Sequence, residues 1–138
     1  MRKRPIPLLL ALGGLLAALP VLAHHSFSAE YDVNKPITLR GTLTKMEWVN
    51  PHGWIHIEVK DENGNAQNWD IEFGAPTSLL KRGLRKTDFP EGIEVTVSGY
   101  RAKNGTRTVN GSSVKLPDGR TLFTGSSGGD GGPPGAKQ

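Results

Sequence analysis

Residues 41–73 read GTLTKMEWVNPHGWIHIEVKDENGNAQNWDIEF, and the alternation inside this stretch decides the fold. From Trp54 to Lys60, Ile55, Ile57 and Val59 point one way while Trp54, His56 and Glu58 point the other. That is the period of two expected of a strand with one buried face. Downstream, Asp61-Glu62-Asn63-Gly64-Asn65 carries an Asn-Gly hairpin signal. A third strand follows over Gln67–Phe73, with Trp69, Ile71 and Phe73 on one face and Asn68, Asp70 and Glu72 on the other. Upstream, Asn50-Pro51-His52-Gly53 reads as a turn, because proline fixes one φ and glycine permits a positive one. Before it, from Pro36 toward Trp48, Ile37, Leu39, Gly41 and Leu43 alternate with Thr38, Arg40, Thr42 and Thr44, the pattern of a first strand.

Beyond Phe73, Ala75–Gly83 (APTSLLKRG) is the one helix the pattern predicts: Pro76 suits its first turn and Gly83 its stop. Ile93, Val95 and Val97 then alternate through Tyr100. Lys103-Asn104-Gly105 turns the chain into a last strand over about Arg107–Leu116, with Gly111 a candidate bulge. Asp118-Gly119 turns into a short Arg120–Phe123 stretch. Three strands, a helix and two strands predict a mainly β chain, arranged as a small five-stranded OB-like Greek-key barrel with one short helix after strand three. A plain β-sandwich fragment is the rival.

The flanks point to export. Arg2, Lys3 and Arg4 precede an apolar run from Ile6 to Leu19, and Val21-Leu22-Ala23 forms a small-residue cleavage site, so residues 1–23 read as a signal peptide. The run falls short of the roughly 20 residues of a membrane span, so no stable span is expected after cleavage. Residues 24–35 form a polar amino-terminal arm that Phe27 and Tyr31 pin to the domain. The barrel domain occupies 36–124, and the Gly/Pro-rich 125–138 has the composition of a disordered tail. Arg2, Lys3 and Arg4 are three of seventeen basic residues, so cleavage leaves fourteen against thirteen acidic ones. A near-neutral domain lacks the footprint of a nucleic-acid binder. The chain has no cysteine, which excludes disulfides, thiolate metal sites and cysteine nucleophiles. A periplasmic or secreted location is expected.

The linked elements HHSFSAEYD, GTLTKMEWVNPHGWIHI and WDIEFGAP followed by LLKRG resemble those of a family of small bacterial exported proteins known as a domain of unknown function. The resemblance spans about residues 24–123. It implies a periplasmic or secreted location and a small β-barrel, and brings no activity with it.

All four histidines fall in two short stretches: His24 and His25 at the new terminus, His52 and His56 around the second turn. An amino-terminal histidine offers its free amine and its imidazole to one metal. With His52, and with His25 able to substitute, these nitrogens form a T-shaped set suited to Cu(II) or another divalent metal. On a strand, His52 and His56 would lie roughly 13 Å apart, too far to share an ion. Glu47, Asp70 or Glu72 would supply the acceptor that fixes each imidazole tautomer. A second candidate is the sheet face carrying Trp48, Trp54, His56 and Glu72, where an aromatic platform can hold a small ligand or a periplasmic protein. Trp69 shares its alternation with Ile71 and Phe73 and belongs to the core. Ser26 beside His25 has no orienting acid, and no Gly-rich stretch has the setting of a phosphate loop, so no catalytic constellation is expected. Two function classes follow: a metal-binding domain using His24, His25 and His52, and a metal-free ligand module using the Trp54/His56 face.

Overall fold

The computed structural model describes residues 27–125. Residues 1–23, read as a signal segment, His24 and His25 of the expected arm, and nearly all of the expected tail therefore lie outside the described residues. A short helix α1 (Phe27–Glu30) leads into a long strand β1 (Tyr31–Glu47). Strands β2 (Trp54–Lys60) and β3 (Ala66–Glu72) follow, then helix α2 (Pro76–Lys81) and a single 3-10 turn over Lys86–Asp88. Strands β4 (Glu94–Ala102), β5 (Thr108–Lys115) and β6 (Thr121–Phe123) complete the chain. The strands form one six-stranded sheet in the order β3-β2-β1-β4-β5-β6. Neighbours in that order are antiparallel, and β3 also pairs with β5 in parallel through Ile71↔Val109. Each of β1 to β5 thus has at least two partners.

Three elements differ from the sequence expectation. β1 begins at Tyr31 rather than at Pro36, because Tyr31 pairs with Ala102 at the far end of β4 and the chain between them follows. Residues 31–35, read as arm, are strand. Helix α1 is additional to the one expected helix, and the Arg120–Phe123 stretch supplies a sixth strand where five were expected. Helix α2 lies inside the expected 75–83 window, with Pro76 in its first turn and Leu79 buried beneath it.

The core follows the alternation. Ile55 and Ile57 of β2, Ile71 of β3 and Val97 of β4 are wholly buried, and Trp69 lies with them. Arg101 lays its guanidinium 5.3 Å from the Trp69 ring centroid. Two irregularities keep the apolar faces turned inward. On β1, Leu43 pairs with Ile57 and Lys45 with His56, which leaves Thr44 as the extra residue. On β5, Gly111 pairs with Gly99 and Ser113 with Ser98, which leaves Ser112 unmatched beside the expected Gly111. Gly111 is required by close approach: a Cβ there would stand 2.8 Å from Ile71 Cγ2 and 3.2 Å from Phe73 Cε1.

Candidate functional site

The turn between β1 and β2 contains a cis Asn50–Pro51 bond and is sewn to the exit of β3. Gly53 N–H donates to Gly74 O at 3.1 Å, and Phe73 N–H donates to Gly53 O at 2.7 Å. This seam sets His52 beside the end of β3. Its Nδ1 lies 3.2 Å from Phe73 O and 3.2 Å from Glu72 Oε1. A backbone carbonyl can only accept, so Nδ1 is the donor in this contact, and Nε2 is the ring nitrogen left without a partner in it.

Glu72 is the centre of this arrangement. Alternation placed it on the outer face, away from Ile71, and it pairs there with Trp54. Yet it is only 6 % exposed, because the amino-terminal segment lies over it. Tyr31 donates its hydroxyl to Glu72 Oε2. Burial pushes the Glu72 carboxyl above the usual carboxylate range, while the Tyr31 hydrogen bond and the nearby His52 pull against that rise. Tyr31 is driven far above the ordinary phenol range, first by burial and then by the hydrogen bond to Glu72. The three segments HHSFSAEYD, EWVNPH and WDIEFGAP, distant in the chain, thus meet through Tyr31, His52 and Glu72.

The covering segment is packed as well as hydrogen-bonded. Phe27 stacks on Tyr31 with ring centroids 5.7 Å apart and meets Tyr100 edge-on at 5.6 Å. With Ala102 they make a second apolar cluster outside the main core. Lys103 holds the segment from below, its N–H donating to Glu30 O at 2.8 Å and its Nζ to Ser28 O at 2.6 Å. Phe27 and Tyr31 therefore anchor this segment as the sequence suggested.

His56 belongs to a separate group. It pairs across the ladder with Asp70, and its Nδ1 lies 2.6 Å from Asp70 Oδ1. Its Nε2 is buried without a hydrogen-bond partner, 3.7 Å from Glu47 Oε1. The Lys45 ammonium is already bonded to Glu47, so that carboxylate is held below the usual range, and a cation between it and His56 would meet a like charge. His52 and His56 are thus served by different carboxylates: Glu72 for the first, Asp70 and Glu47 for the second. Among the described residues, no three histidine and carboxylate side chains converge in a metal-holding cluster.

The tryptophans separate by face. Trp48 packs against the main core, and Trp69 is part of it. Trp54 is half-buried on the outer face and borders an open cleft of about 560 Å³, shared with Tyr31, Ala102, Lys103, Asn104 and Thr108. Sequence reasoning missed the Tyr31 hydroxyl as a site group. Its partner is 41 residues away, and only the register of β1 against β4 brings it there. Among the described residues, no helix is long and apolar enough to cross a membrane.

A model described as a family of unknown function (DUF6152) matches residues 14–111. The chain belongs to this family. The match takes in Tyr31, His52, Trp54, His56 and Glu72, so the whole outer-face site lies inside the DUF6152 region. Neither a curated protein nor a solved structure gives a match.

Proposed function

We propose that this member of the DUF6152 family is an exported, periplasmic or secreted, non-enzymatic binding domain that takes a divalent metal, copper foremost, through His24, His25 and His52. Its fold is read as a small OB-like Greek-key barrel: the pairings run β1-β2-β3-β5-β4 and back to β1, with β6 added outside that ring. The observation that carries the metal reading is the placement of His52 Nδ1 against Phe73 O and Glu72 Oε1. Metal-binding histidines characteristically give their second ring N–H to a carboxylate or a backbone carbonyl, and here Nδ1 has both, which leaves Nε2 as the ligating nitrogen. The arm supports it. Phe27 is buried against Tyr31, whose hydroxyl reaches the carboxylate that orients His52. In the sequence His24 precedes Phe27 by three residues, a reach of about 10 Å at most. Cleavage after Ala23 would add the terminal amine to the donor set.

The test is a Cu(II) titration of the processed protein, with intact mass confirming His24 at the terminus, beside a version extended by one methionine. Tight one-to-one binding that is lost on extension, lost in His52→Ala and kept in His56→Ala is the expected result. Weak binding indifferent to the extension overturns the reading. One observation favours a second reading. The cleft beside Trp54 has the size of a small-molecule site, and a metal-free ligand module would use it together with His56. In that case Trp54→Ala costs ligand affinity without lowering the melting temperature.

A further inference from the structure

We propose that Tyr31 is a positioning residue for His52, acting through Glu72, so that the start of β1 orients the ligand contributed by the turn. The inference rests on the metal-binding reading and deepens it.

Glu72 has two oxygens and each has one side-chain partner: Oε2 accepts from Tyr31 and Oε1 faces His52 Nδ1. A carboxylate tied at one oxygen alone can turn about its last side-chain bond, and an imidazole resting on it turns with it. Held from both sides, its plane is fixed, and the imidazole that lies against it, itself bonded to Phe73 O, is fixed in turn. Tyr31 itself cannot swing away. Its ring is stacked on Phe27, and its backbone is paired with Ala102. The tyrosine ring lies in the outer cluster, so filling the main core does not account for its hydroxyl. The packed start of β1 thus holds the carboxylate that faces His52 Nδ1. A site assembled in this way spends less binding energy on ordering its ligands.

The discriminating variant is Tyr31→Phe, which keeps the ring and its stacking and removes only the O–H. Two measurements are made on the processed full chain. The first is ¹⁵N NMR of the histidine rings without metal. The wild type should show one sharp set of His52 ring signals with Nδ1 as the donor, and Tyr31→Phe, which leaves the Phe73 carbonyl in place, should shift and broaden those signals. The second is a Cu(II) competition titration with an EPR spectrum of the bound ion. Affinity should fall by about 10- to 100-fold, the usual cost of losing an outer partner of a metal ligand, with an altered spectrum. Tyr100→Phe, in the same cluster but without a bond to Glu72, should change neither. Glu72→Gln serves as the second variant and should disturb both readouts in the same direction as Tyr31→Phe. An unchanged His52 signal, or a changed signal with unchanged copper affinity and spectrum, overturns the positioning role. Failure of the wild type to bind copper overturns the metal reading, and the metal-free NMR measurement still decides whether Tyr31 sets the His52 ring.

Discussion

The two apolar clusters of this domain lie on opposite faces of one sheet and are built by different rules. The inner one gathers Leu43, Ile55, Ile57, Ile71, Val97 and their neighbours, each placed by strict alternation along its own strand. The outer one is small, joins Phe27, Tyr31 and Ala102 with Tyr100, and comes from segments far apart in the chain: α1 with the start of β1, and the end of β4. The inner cluster holds apolar groups whose contribution scales with area and needs little orientation. The outer cluster shelters a carboxylate and its two partners, where direction matters more than area. The strands hold the fold together, and the cover on their outer face buries Glu72 together with the Tyr31 hydroxyl.

Truncation inside the main core should produce the largest effect. Ile71 is fully buried and faces Gly111 across β5. Ile71→Ala should cost about 2–5 kcal/mol, measured as a lower urea midpoint with an unchanged slope. A loss confined to a few tenths would mean that the inner face is not where the stability resides.

Phe27→Ala should cost less, about 1.5–3 kcal/mol, and its effect should be local. Without the Phe27 ring, Tyr31 loses its stacking partner, and the hydrogen bond from Lys103 N–H to Glu30 O should open more often. Hydrogen exchange should quicken over residues 31–35 and at Lys103 while the β2 amides stay protected. Uniform acceleration across the sheet would show that the outer cluster is part of the same cooperative unit, and the contrast between the two faces would fail.

The same contrast explains what could be read from the sequence. Strands β2 and β3, the turn at Asn50–Gly53, helix α2 and the need for a bulge near Gly111 were legible, because each is written in residues close together in the chain. The first part of β1 was not. Asp32, Asn34 and Lys35 are polar and Pro36 interrupts them, so no local pattern marks a strand; pairing with β4, anchored at Tyr31, overrides propensity. Helix α1 and strand β6 are four and three residues long, too short to carry a period. The candidate site was half legible. Glu72 could be named as an orienting acceptor from its side of the strand, but alternation alone puts it in solvent. Its burial comes from a segment 41 residues away.

The smallest of the expected effects is the one that isolates that buried carboxylate. Glu72 is raised above its ordinary range, chiefly by burial. A carboxyl raised in the folded state binds more protons folded than unfolded, so its contribution to stability is complete below the ordinary carboxylate pKa. That contribution then falls as the pH climbs through the folded pKa. Glu72→Gln keeps an oxygen for the Tyr31 hydroxyl and removes the titration. Urea midpoints from acid to neutral pH should therefore converge on a simple pattern. The wild type loses ground to the variant as the pH rises out of the carboxylate range, and the gap stops growing once Glu72 is ionised in the fold. Other carboxylates cancel in the difference. The His52 contact works against the trend, because an imidazole beside the charge favours the ionised form; pairing the experiment with His52→Ala should widen the gap. A difference between wild type and Glu72→Gln that does not move with pH would mean that the outer cover admits water to the carboxylate. The inner face would then be the dry one and the outer site a wet one, and the shelter ascribed to the outer cluster would be refuted.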